Sequence, residues 1–159
     1  MKVDVKTLMH KTKSNRSIRQ KAGVVAYRYK NENEVEILLI TARSYPSTWI
    51  FPVGTVKSGE SLQETAAREC LEESGYVVSI GSVLEVVEID EDDSIRQFTF
   101  FLAQVTGEVD DYETARQRQW VSLSDLVSIV ANVFSSVAKA ATKVDNLPKI
   151  MSNAESTVL

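Results

Sequence analysis

Cysteine and histidine are nearly absent from this 159-residue chain, which contains one of each. The single cysteine, Cys70, cannot form an internal disulfide bond, and the chain offers no zinc-type spacing of cysteines and histidines. No apolar run reaches the roughly eighteen residues that a membrane-spanning helix needs, and Met1 to Ser17 lacks the apolar core of a signal peptide. These absences favour a soluble, cytoplasmic protein without membrane partners.

A surplus of basic residues is also missing, since the formal net charge is -4. Proteins that bind DNA or RNA usually carry a basic surface, so nucleic acid is not the expected partner. A small polyanion remains possible, because local basic residues can bind it. The content of 43% apolar and 25% charged residues is typical of a single globular domain.

Weak patterning at both ends of the chain predicts an N-terminal arm over residues 1–18, a domain over 19–142 and a fraying tail over 143–159. A second helix is expected from Ser122 or Ser124 to about Thr142, and its valine-rich stripe suits either the core or a dimer contact. Apolar, β-branched segments predict strands at Ala22–Tyr29, Val35–Ala42, Val77–Ile89, Phe98–Val105 and Gln119–Val121.

The most informative segment is an acidic stretch that we predict to be a helix. Ser61 or Gly59 can cap its start, and Gly75 can end it. On a helix, Glu69, Glu72 and Glu73 stand at positions i, i+3 and i+4, so their side chains share one face. Three carboxylates repel each other unless a cation lies among them, and Mg²⁺ prefers such oxygen ligands. The stretch therefore predicts a Mg²⁺ site, which Mn²⁺ could also occupy.

Gly54, Glu60 and Arg68 precede these glutamates at fixed spacings. The whole pattern resembles the signature of the Nudix hydrolases. The resemblance implies an α/β fold, the Nudix-type α/β/α sandwich with a mixed β-sheet. Cys70 and Tyr76 depart from the aliphatic residues usual in the signature, but both can pack against apolar neighbours. The matching residues are Gly54, Glu60, Arg68, Glu69, Glu72, Glu73 and Gly75.

The resemblance also implies roles for individual residues. Glu69, Glu72 and Glu73 are the expected metal ligands, together with the backbone carbonyl of Val53. Either Glu73 or Glu69 could instead deprotonate the attacking water. We expect Arg68 to form a bidentate ion pair with a glutamate of the cluster, because its planar guanidinium fixes a carboxylate well. Glu60, at the junction of loop and helix, is expected to be a second partner of Arg68.

Outside the signature, segments 43–52, 110–113 and 116–120 resemble the Nudix branch that cleaves diphosphoinositol polyphosphates and dinucleoside polyphosphates. That branch has a glycine triplet where this chain has Val53-Gly54-Thr55, so the resemblance to it is incomplete. Glu113 is open to two interpretations, as a further metal ligand or base and as part of an ordinary acidic turn. On this resemblance, the phosphate-binding residues would be Arg19, Lys21, Arg43, Arg96, Arg116 and Arg118.

These observations predict a Mg²⁺-dependent hydrolase, active as a monomer or homodimer, that cleaves a phosphoanhydride bond in a small-molecule nucleotide or polyphosphate. Sanitation of oxidised nucleoside triphosphates is an alternative, because the signature does not choose the substrate. A module that senses a nucleotide without cleaving it is another alternative, although the intact glutamates favour hydrolysis.

Overall fold

A seven-stranded sheet forms the centre of the protein in a computed structural model that describes residues 16–144 and 146–150. Most of the predicted N-terminal arm lies outside these residues. The strands are β1 (Ser17–Tyr29), β2 (Val35–Thr41), β3 (Trp49–Ile50), β4 (Val53–Thr55), β5 (Tyr76–Asp90), β6 (Ser94–Glu108) and β7 (Arg118–Ser122). The α-helices are α1 (Leu62–Ser74), α2 (Leu123–Ile129) and α3 (Ser135–Thr142), with a 3₁₀ turn at Asn132–Phe134.

The sheet is mixed, as predicted. Its main path runs β3-β2-β1-β6-β5, while β4 also pairs with β1 and β7 also pairs with β2. The central strands β1 and β6 run parallel, from the pair Ser17 and Ser94 to the pair Tyr27 and Gln104. The remaining pairings are antiparallel. The short strand β4 brings the loop before α1 against the middle of the sheet.

Alternate residues of the central strands face two separate apolar layers, as the two-residue period of a strand requires. Val25 and Tyr27 of β1 belong to a layer that also contains Leu126 of α2 and Val137 of α3. Val24 and Ala26 face the other layer, which contains Ala66 and Cys70 of α1. The helices thus cover both faces of the sheet, and the predicted α/β/α sandwich is confirmed. No helix in the described residues is long and apolar enough to span a membrane.

The prediction of one continuous second helix is wrong. Helix α2 ends at Ile129, and Val130 adopts an extended backbone with φ -69° and ψ 148°. The next amide, that of Ala131, donates a hydrogen bond of 2.9 Å to the carbonyl of Trp49. This pairing with β3 interrupts the helix, since the segment between α2 and α3 contains no proline or glycine. Of the predicted valine-rich stripe, Val130 and Val137 are buried and Val133 is exposed.

Of the predicted tail, residues 145 and 151–159 lie outside the described residues, and residues 146–150 lie against the sheet. The hydroxyls of Tyr27 and Tyr29 donate hydrogen bonds to the carbonyls of Pro148 and Leu147. The Ile150 amide donates to Gln104 at 2.7 Å. These bonds arise because two tyrosines at the end of β1 offer donors to an extended backbone, which the weak patterning of the tail did not reveal.

Candidate active site

Helix α1 has the predicted boundaries and carries the acidic residues. The Ser61 hydroxyl accepts a hydrogen bond of 3.0 Å from the Glu64 amide and caps the start of the helix. Gly75 takes a left-handed conformation with φ 78° and donates its amide to the Leu71 carbonyl, which ends the helix. The helix faces β4 and the middle of β1 across its buried side.

Glu73 lies in the interior and has one oxygen without a hydrogen bond. Its side chain is 2% exposed. Oε1 accepts a hydrogen bond of 3.0 Å from the Val53 amide, whereas Oε2 accepts none. Oε2 lies 3.0 Å from Nη2 of Arg116. Burial raises the pKa of Glu73 to about 8, and the attraction of Arg116 only partly offsets this effect.

Glu69 packs directly against the backbone of Gly54. A Cβ atom added to Gly54 would lie 2.1 Å from Cδ of Glu69 and 2.3 and 2.4 Å from its two carboxylate oxygens. Gly54 lies in β4, and its lack of a side chain makes room for this carboxylate. The spacing of the signature gives no sign of that contact, because it depends on how β4 lies against α1.

Arg68 forms its bidentate pair with Glu60, and not with a glutamate of the predicted metal cluster. Nε and Nη2 of Arg68 contact the two oxygens of Glu60 at 2.7 and 2.9 Å. These bonds lower the pKa of Glu60 to about 2. The remaining nitrogen, Nη1, lies 2.8 Å from Glu69 and 3.2 Å from Glu72. Arg68 thus fixes Glu69 while Glu60 fixes Arg68.

The three predicted carboxylate ligands do not converge fully. Within residues 16–144 and 146–150, no three acidic, histidine or cysteine side chains lie close enough together to hold a metal ion as placed. Glu72 is 48% exposed and pairs with Arg68, whereas Glu69 and Glu73 both lie beside β4. The buried carboxylate of Glu73 still fits a hard divalent cation, since such cations bind carboxylate oxygens and its Oε2 has an ion pair with Arg116 but no hydrogen bond.

A cleft of about 690 Å³ opens beside Glu73 and Gly54. Burial, followed by the charges of Arg96 and Arg19, lowers the pKa of Lys21, as expected in a positively charged surrounding. Part of the lining is apolar and includes Ile50, Phe98 and Phe134. Four of the six predicted phosphate-binding residues line the cleft, namely Lys21, Arg43, Arg96 and Arg116.

The other two predicted phosphate-binding residues lie elsewhere. Arg19 lines a neighbouring groove, which shares Lys21 with the cleft. Nη1 of Arg118 donates to the Ser74 carbonyl at 2.8 Å and to Glu108 at 3.0 Å. The Arg118 guanidinium also lies 4.4 Å from the centre of the Tyr112 ring. Arg118 of β7 therefore links the end of α1 to the end of β6 and to the loop that follows β6. A phosphate contact by Arg118 stays a prediction.

Arg116 and Glu113 form an ion-pair network that the sequence did not predict. Nε of Arg116 contacts Glu113 at 2.7 Å, and Nη1 donates to the Thr41 carbonyl at 3.0 Å. The other oxygen of Glu113 contacts Arg43 at 2.7 Å. The i, i+3 spacing of Glu113 and Arg116 was the available signal for part of this network, whereas the contact with Arg43 joins distant segments.

Comparison with known proteins adds independent findings. The family model described as the NUDIX domain matches residues 19–141. Mouse diphosphoinositol polyphosphate phosphohydrolase 3-alpha is 32% identical over 106 residues, and the match covers 64% of this chain and 64% of that protein. A human diphosphoinositol polyphosphate phosphohydrolase 3-alpha is 31% identical over the same shares of the two chains.

Solved structures with a fold similar to this chain include the following two. The crystal structure of a C. elegans Ap4A hydrolase matches with a TM-score of 0.64 at 25% identity, covering 79% of this chain and 96% of that one. The solution structure of the E. coli ORF135 protein has a TM-score of 0.67 at 19% identity, covering 80% and 91%. The second likeness supports the fold alone.

Proposed function

The chain belongs to the Nudix family, and from this premise we propose that it is a Mg²⁺-dependent pyrophosphohydrolase. The proposal rests on the buried carboxylate of Glu73, whose Oε2 has an ion pair with Arg116 but no hydrogen bond. This carboxylate lines the cleft together with Lys21, Arg43 and Arg96. A carboxylate that can hold a metal and cations that can hold phosphates are the two parts that phosphoanhydride hydrolysis requires.

Glu69 and Glu73, which both lie beside β4, would hold the metal ion, with Glu72 and the Val53 carbonyl as further ligands. The bound ion would neutralise phosphate charge and lower the pKa of a water. Arg68 keeps Glu69 in position, because Glu60 fixes its guanidinium from the other side. Either Glu73 or Glu69 would accept the proton of the attacking water.

The substrate class that we propose is a nucleotide or inositol carrying a polyphosphate, such as a dinucleoside polyphosphate or a diphosphoinositol polyphosphate. The names of the mouse relative and of the C. elegans structure support this class. The cleft offers cations for phosphates, and its apolar part, with Phe98 and Phe134, suits a nucleobase. Oxidised nucleoside triphosphates also carry phosphates and a nucleobase, so they belong in the same substrate panel.

The test is a panel of dinucleoside polyphosphates, diphosphoinositol polyphosphates and nucleoside triphosphates, incubated with purified protein and Mg²⁺ while product release is measured. We expect Glu73→Gln to lower kcat by on the order of 10² or more, since it removes a metal ligand or base. Glu64→Gln removes the same charge from an exposed position of α1 and should change kcat less than about threefold. Nucleotide binding without turnover would instead favour the sensing module.

A further inference from the structure

The Glu113 carboxylate lies between two guanidinium groups. Its Oε1 contacts Nη2 of Arg43 at 2.7 Å, and its Oε2 contacts Nε of Arg116 at 2.7 Å. Guanidinium groups recognise carboxylates and phosphates through the same planar, charge-assisted hydrogen bonds. Glu113 therefore satisfies the two arginines in the way that a phosphate group of a bound molecule would.

These two arginines separate two cavities. Arg43 and Arg116 line the cleft of about 690 Å³ that contains Glu73, and they also line a smaller cavity of about 400 Å³ that contains Glu113. Arg116 is only 12% exposed and is held by Thr41 and Glu73 as well as Glu113. Arg43 is 72% exposed. Arg43 can thus change partners readily, whereas Arg116 stays in place.

The backbone of Glu113 is held independently of its side chain. Its amide donates a hydrogen bond of 2.9 Å to the Glu72 carbonyl, and its carbonyl accepts one of 3.1 Å from the Arg116 amide. The carboxylate can leave the arginines through a change of side-chain rotamer, without unfolding of the loop.

We propose that Glu113 is an internal competitor for the anionic substrate, occupying the phosphate position between Arg43 and Arg116 until a substrate phosphate displaces it. This inference rests on the proposed function, because it concerns the phosphate groups of that substrate. A singly charged anion gains little over the carboxylate that it replaces, whereas a pyrophosphate group carries more charge and can also contact the other cations of the cleft. Glu113 would thereby favour polyphosphates over weaker anions.

The experiment measures binding without turnover. Inorganic pyrophosphate and, separately, ADP are titrated into purified protein in EDTA by calorimetry, so the result does not depend on whether either is hydrolysed. We expect Glu113→Gln to tighten binding of both about fivefold, because it removes one negative charge next to the phosphate position. Asp111→Asn removes the same charge from the same loop and should change the affinity less than about twofold.

A double-mutant cycle tests whether Glu113 competes with the substrate phosphate for Arg43. In an Arg43→Gln background, Glu113→Gln should tighten binding less than about twofold, because one of the two arginines at the phosphate position is already missing. Weaker or unchanged pyrophosphate binding by a folded Glu113→Gln protein that keeps its kcat would overturn the proposal and identify Glu113 as a structural support of the loop. Unchanged binding together with a kcat loss above about 100-fold would also overturn it, in favour of a direct role as metal ligand or base. Thermal unfolding of each variant identifies any loss of fold.

Discussion

Replacing Gly54 by alanine should reduce hydrolysis strongly and leave the stability of the protein nearly unchanged. The added Cβ would lie 2.1 to 2.4 Å from three atoms of the Glu69 carboxyl group. Ordinary van der Waals contact begins near 3.4 Å, so the carboxylate must retreat by about 1 Å. Only Gly59 and Gly75 among the described glycines have positive φ, so alanine fits the backbone at Gly54.

The size of the effect follows from what this displacement disturbs. Moving Glu69 weakens its contact of 2.8 Å with Arg68 and moves a proposed metal ligand. A misplacement of about 1 Å at a reacting centre can cost on the order of 10² in rate, so we expect that loss in kcat/KM. The cost in unfolding free energy should stay below about 1 kcal/mol, because the end of a flexible, partly exposed side chain gives way.

Three assays on the same variant separate these effects: hydrolysis of the best substrate, Mn²⁺ binding by electron paramagnetic resonance, and thermal unfolding. Gly59→Ala is the matched control. Gly59 has φ 80° and open space around its Cβ position, so alanine there should cost about 1 kcal/mol in stability and leave kcat/KM unchanged. If Gly54→Ala kept its activity within about threefold of the wild type, Glu69 would not be held in a catalytic position by β4.

Three further predictions concern the neighbouring charges. In EDTA, the unfolding free energy of Glu73→Gln minus that of the wild type should rise between pH 4.5 and 8 by on the order of 2–4 kcal/mol, because the raised pKa of Glu73 adds stability only while the group is protonated. Chemical denaturation across this range measures the difference, and a difference that does not change with pH would contradict the prediction. Arg68→Lys should lower stability by about 1–2 kcal/mol and kcat by about tenfold, since an ammonium group cannot form the bidentate pair with Glu60; unfolding and steady-state kinetics test this, and wild-type kinetics would refute the positioning role. Arg96→Gln should raise KM about tenfold, because Arg96 lines the cleft. Arg118→Gln should lower the melting temperature and leave KM within about threefold. A larger rise in KM for Arg118→Gln than for Arg96→Gln would instead place Arg118 in the phosphate site.

Local features of the sequence determine much of the fold. The boundaries of α1 follow from Ser61 and Gly75, whose preferences act over one turn of helix, and the long strands follow from β-branched, apolar segments. The break between α2 and α3 was not predictable in this way. It results from a hydrogen bond between Ala131 and Trp49, which lie far apart in the sequence and meet only after the sheet has formed.

The site, like the fold, could be predicted from the sequence only in part. The acidic residues of α1 could be identified from their spacing, because that spacing is set by the helix itself. Their partners could be predicted only in part, since the bidentate pairing of Arg68 with Glu60 and the pairing of Arg116 with Glu113 depend on how loops meet α1. A family signature identifies residues by their positions in the sequence, but it does not show which of them form ion pairs with each other before a ligand binds.

The internal partners of the cations indicate which of them a substrate can recruit. Arg68 and Arg118 each bond to both a carboxylate and a backbone carbonyl, so moving either would leave several polar groups unpaired at a cost of several kcal/mol. Lys21, Arg43 and Arg96 are different, because each lines the cleft and is paired with a solvent-accessible group. These partners are Thr55, Glu113 and Glu91. A phosphate can replace such a partner at little cost, since water solvates the group that is released. The phosphate-binding set should therefore be these three cations, with Arg116 contributing only from the place where Glu73 and Thr41 hold it.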